Sequence, residues 1–77
     1  MKLIYEESNG NYGDAGVSVC VLKAESRDAP VTPRYLVALY SFQQGEQILP
    51  SIVGRDFEVI RWAQAKYDTL KADVADQ

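Results

Sequence analysis

Apolar and polar residues alternate with a two-residue period through the first half of the chain, and recur at three- and four-residue steps near its end. In residues 15–24, Val17, Val19 and Val21 fall on one side, and Ser18, Cys20 and Leu22 on the other. That is the period of a strand. Residues 34–42 form a more hydrophobic strand, with Tyr35, Val37 and Leu39 on one face and Leu36, Ala38, Tyr40 and Phe42 on the other. Residues 2–7, with Leu3, Ile4 and Tyr5 in a short run, read as a first strand. After Asp56, a plausible N-cap, Phe57, Ile60, Ala63, Tyr67, Leu70 and Val74 mark one face of a helix, widened by Val59 and Trp62. Asp73 and Asp76 oppose the helix dipole, so its last three or four residues are expected to fray.

The segments between are turns. Residues 8–14 (Ser-Asn-Gly-Asn-Tyr-Gly-Asp) tolerate positive φ and allow the chain to reverse. Residues 25–33 hold Pro30 and Pro33, which remove backbone donors. Residues 43–54 read as a connection, with a single helical turn over 51–53 between Pro50 and Gly54. The expected architecture is α+β: a three-stranded antiparallel sheet in β-β-β-α order, with the C-terminal amphipathic helix packed on one face. Residues 1–77 are expected to form one small domain.

Length sharpens one problem. A chain this short buries only about 60% of the surface its unfolded form exposes, leaving a margin on the order of 5 kcal/mol. Small domains often add disulfides, a metal or self-association. Cys20 is the single cysteine and there is no histidine, so no intrachain disulfide can form and a zinc site is not expected. No cofactor is expected either. Core packing and self-association remain. The third strand is apolar on both faces, and one helix covers only one of them. A homodimer is therefore expected, with Leu36, Ala38, Tyr40 and Phe42 at its interface. The competing arrangement folds the first strand or residues 43–54 over that face.

Eleven acidic against eight basic residues give a net charge of −3, and the bases are scattered. This opposes direct binding to nucleic acid or to anionic membrane. The first seven residues lack the pattern of a signal peptide, and the longest near-apolar run, residues 35–40, is too short to span a bilayer. The lone thiol fits a reducing compartment, so a cytoplasmic location is expected.

Catalytic chemistry finds little to work with. Without histidine the commonest general base is missing, and Cys-His or Ser-His pairs cannot form. Cys20 lies in a valine-rich strand, where a thiol usually packs inertly. Glu6 and Glu7 are neighbours on a strand and point to opposite faces. The glycines at 10, 13 and 16 lead into a strand, carry Asp14 and lack a lysine, unlike a phosphate-binding loop. Aromatic side chains offer better candidates. Tyr12, beside Asn11 at a loop tip, either binds a partner or folds back over the sheet edge. Trp62, at the margin of the helical stripe, either caps the core or protrudes as an anchor.

These features predict a small non-enzymatic accessory protein of inhibitor or adaptor type. It acts by binding another protein, with Asn11, Tyr12 and Trp62 as candidate contacts. An acidic decoy occupying a nucleic-acid-binding protein is the alternative, favoured if Glu6, Glu7, Asp14 and Glu25 share a surface. An enzyme with a carboxylate-based site between subunits is the third class.

Overall fold

The computed structural model describes residues 1–9, 16–24, 34–42, 44–50 and 54–75. Among the described residues it is an α+β arrangement of four strands and one helix: β1 (Lys2–Ser8), β2 (Val17–Lys23), β3 (Tyr35–Ser41), β4 (Gly45–Pro50) and α1 (Asp56–Ala75). The strands form one antiparallel meander in the order β1-β2-β3-β4. The expected three-stranded β-β-β-α order is therefore corrected to β-β-β-β-α.

The additional strand is β4, which sequence reasoning assigned to a connection. Its residues Gly45-Glu46-Gln47-Ile48-Leu49-Pro50 show no alternation and end in proline, so propensity does not reveal it. Its partner does. The tight turn after β3 brings Gly45 opposite Ser41 and Leu49 opposite Val37. Gly45 takes φ 73°, a left-handed conformation that favours glycine. The buried Ser41 accepts a 3.0 Å hydrogen bond at Oγ from the Gln44 N–H, which fixes the turn. Pro50 is tolerated because β4 is an edge strand. Strand β4 thus extends the sheet sideways, and the first strand forms its opposite edge. Neither lies over the second face.

The core lies between the sheet and α1. The helix packs on β2 and β3. Val17, Val19, Val21, Val37 and Leu39 are buried against Val59, Ala63, Tyr67 and Leu70. Each such aliphatic side chain contributes roughly 1.5–3 kcal/mol through burial. The buried helical row steps by four, from Val59 to Ala63 to Tyr67. Phe57 points about 125° from the centre of that row at 100° per residue. It is exposed instead of joining the core face expected of it.

In β1 the register slips between Leu3 and Tyr5. A bulge of this kind lets two successive side chains face the same way. Ile4 and Tyr5 accordingly both pack against the core, while Leu3 pairs with Leu22 on the other side.

The helix start is tied to one end of the sheet. The Arg55 carbonyl accepts the first helical bond, from Val59 N–H at 3.0 Å. Asp56 is thus the first helical residue, and its carboxylate turns to the sheet. It accepts a 2.7 Å hydrogen bond from the Tyr35 hydroxyl and pairs with Lys23 Nζ at 2.8 Å.

Candidate functional site

The strand alternation that buries the valines sends the intervening residues to the opposite face, and no described element covers them. The registers place three rows across this face. Leu3, Leu22, Leu36 and Pro50 form the first; Glu6, Cys20, Ala38 and Ile48 the second; Ser8, Ser18, Tyr40 and Glu46 the third. Leu3 is 48% exposed, Ile48 53% and Tyr40 44%. Phe42, just past the end of β3, is 59% exposed.

This is where the structure places the four residues expected at a dimer interface. Leu36, Ala38 and Tyr40 lie together on the uncovered face, and Phe42 continues them into the turn. Sequence reasoning missed Leu3, Ile48 and Leu22 as members of the same surface. Leu3 reaches it through the β1 bulge, and Ile48 belongs to the unrecognised strand. Asn11 and Tyr12 lie outside the described residues. Trp62 is half-buried and packs against the core, with Lys66 Nζ 5.6 Å from its ring centre.

A shallow depression of about 220 Å³ indents the face. Ser8, Ser18, Cys20 and Ala38 provide its small side chains, with Tyr40 and Glu46 at the border. Cys20 therefore lies half-buried on the uncovered side, away from the valines of its own strand. Glu6 also lines the depression. Glu6 and Glu46 stand on the two edge strands, whose backbones are three spacings, about 14 Å, apart. Glu7 turns to the helix side, where it accepts a hydrogen bond from the Tyr5 hydroxyl. Desolvation, then this bond, pushes the Tyr5 pKa up.

No known protein family, curated protein or solved structure matches the chain.

Two other places hold clustered groups. At the start of α1, Tyr35 also donates to the Gly54 carbonyl at 3.2 Å, and Lys23 Nζ lies 5.9 Å from the Tyr35 ring centre. Desolvation, then the bond to Asp56, pushes the Tyr35 pKa up to about 12. Hydrogen bonds from Lys23 and then Tyr35 hold the Asp56 pKa below its usual value. These groups hold one another and join helix to sheet. Beside β4, a groove of about 210 Å³ is lined by Leu49, Gln47, Lys66, Thr69, Leu70 and Asp73. It exists because α1 sits over β2 and β3 and leaves β4 partly open. Among the described residues no three His, Cys, Asp or Glu side chains converge as a metal site. No described helix is long and apolar enough to cross a membrane.

Proposed function

We propose that this chain is a small non-enzymatic accessory protein, of inhibitor or adaptor type, that acts by protein–protein binding through the uncovered face of its sheet. The observation that carries the reading is the set of half-exposed apolar side chains Leu3, Tyr40, Ile48 and Phe42 at that face. Contiguous exposed apolar surface of this kind marks interaction sites. Covering it yields about 25 cal/mol per Å² of apolar area removed from water. The net charge of −3, with Glu6 and Glu46 on the face, favours a protein over nucleic acid or anionic membrane as partner. The lone Cys20 thiol supports a reducing, cytoplasmic setting.

The alternatives have less support. An acidic decoy needs its carboxylates on one surface. Glu6 and Glu7 face opposite ways, and Asp14 and Glu25 lie outside the described residues. A carboxylate enzyme would draw support from a raised carboxyl pKa in a cleft, and among the described residues the carboxyl shift that is resolved, at Asp56, is downward.

The test is affinity capture from the source cell with the wild-type chain, Tyr40→Ala and Ile48→Lys, each checked for native circular dichroism. Tyr12→Ala and Trp62→Ala probe the loop and helix candidates in the same experiment. Tyr40→Ala and Ile48→Lys are expected to lose the captured protein. An unchanged captured set with both folds intact would remove the face from consideration.

A further inference from the structure

The uncovered face is complementary to itself in shape and in charge, and both kinds of complementarity require the same rotation. At one end, Leu3, Leu22 and Leu36 stand as a ridge across three strands. Toward the other end lies the depression formed by Ser8, Ser18, Cys20 and Ala38. Charge is polarised along the same direction. Ala24 N–H donates to the Arg34 carbonyl at 3.0 Å, which extends the β2–β3 ladder by one pair beyond Lys23 and Tyr35. Strand alternation then puts Arg34 on the side of Leu36. At the opposite end, Phe42 N–H donates to the Gly16 carbonyl at 3.2 Å, which extends the ladder there and puts Phe42 on the same face. Glu46 lies beside that end on β4.

We infer that the protein seated on this face is a second copy of the chain, turned by 180° about an axis that lies between the two sheets and runs across their strands. The inference rests on the proposed reading of the face as a protein-contact surface. This rotation sets the leucine ridge of each copy over the depression of the other. It also brings Arg34 of one copy to Phe42 and Glu46 of the other, combining a cation–π contact with an ion pair. Rotation about the strand direction would instead place leucine on leucine and Arg34 against Arg34. The small side chains of Cys20 and Ala38 lie on the axis, where two packed sheets are about 10 Å apart. At the rim the rotation sets Glu6 against its own copy, a like-charge contact that weakens the pair. Both helices point outward.

The face measures about 19 by 20 Å from strand spacing and rise, roughly 400 Å² when taken as flat. Standard interfaces bury about 800 Å² per partner, so a weak dimer that forms only as concentration rises is expected. Sedimentation equilibrium of the full chain, from micromolar to sub-millimolar concentration, reads this directly. The expected mass rises from 8.6 kDa toward twice that value. Ala38→Arg is expected to weaken the dimer by about tenfold or more. Should Ala38→Arg fail to fold, the exposed positions carry the test. Arg34→Glu and Glu46→Arg are each expected to weaken the dimer, the two together to restore it, and Glu6→Gln to tighten it. A mass of 8.6 kDa at every concentration overturns the second copy as occupant. The face then stands or falls separately by the capture experiment with Tyr40→Ala. A dimer indifferent to Ala38→Arg and to charge reversal overturns the proposal as well, because the copies then meet elsewhere.

Discussion

The attachment of the helix start to the sheet can be tested by removing one oxygen. Tyr35→Phe deletes the hydroxyl that donates to Asp56 Oδ1 at 2.7 Å and contacts the Gly54 carbonyl at 3.2 Å. The ring keeps its packing against the core. Asp56 keeps Lys23, and both side chains of that pair are partly solvated, at 33% and 49% exposure. Solvent screening therefore discounts the ionic part. The loss comes down to one hydrogen bond to a charged acceptor in a half-exposed setting, about 1 kcal/mol. In a chain of this size that lowers the melting temperature by about 4–8 °C.

The pH dependence supplies an independent check. The Asp56 pKa is depressed by Lys23 and then Tyr35. Its contribution is therefore present above the unfolded carboxyl value, about 4, and is lost as pH falls through the lower folded value. The Tyr35 pKa is raised to about 12, by desolvation first and then by Asp56. Its contribution is full below the unfolded phenol value, about 10, and is lost as pH rises through the folded one. The penalty of Tyr35→Phe should therefore be constant from about pH 5 to pH 9 and shrink on either side. Urea denaturation of both proteins across this range measures it. Equal midpoints at pH 7, or a penalty that grows at low pH, would refute the account of the helix attachment.

Two further substitutions probe the core and the turn. Val21→Ala removes two methyl groups from a fully buried position between β1 and β3; transfer and cavity terms together should cost about 2–3 kcal/mol in urea unfolding at neutral pH. Gly45→Ala meets no atom within 4 Å but must adopt φ 73°; the expected cost is about 1–2 kcal/mol of backbone strain, seen as a lower denaturation midpoint, and an unchanged midpoint would show that the turn relaxes.

The sequence by itself determined the elements whose period is strong. Valines at 17, 19 and 21 specify a strand with one buried side, and they are buried in the structure. The four-residue steps from Val59 through Ala63 to Tyr67 specify a helix, and α1 runs from Asp56 to Ala75. The alternation of residues 35–41 also required two distinct faces, and so revealed that one would need covering. Tertiary structure decided what period cannot encode. The strand β4 exists because β3 supplies its hydrogen bonds and Gly45 its turn, although its own residues do not alternate. Ile4 and Tyr5 face the core together because a bulge changes the phase of β1, which shifts Leu3 to the opposite side. Phe57 carries the hydrophobicity of a core residue but lies outside the row that meets the sheet. The candidate surface combines both sources. Leu36, Ala38 and Tyr40 were legible from alternation, whereas Leu3, Ile48 and the depression came only from pairing four strands in register. Side-chain direction along a strand is a local property, but the neighbour across the sheet is set by hydrogen bonds between segments distant in sequence.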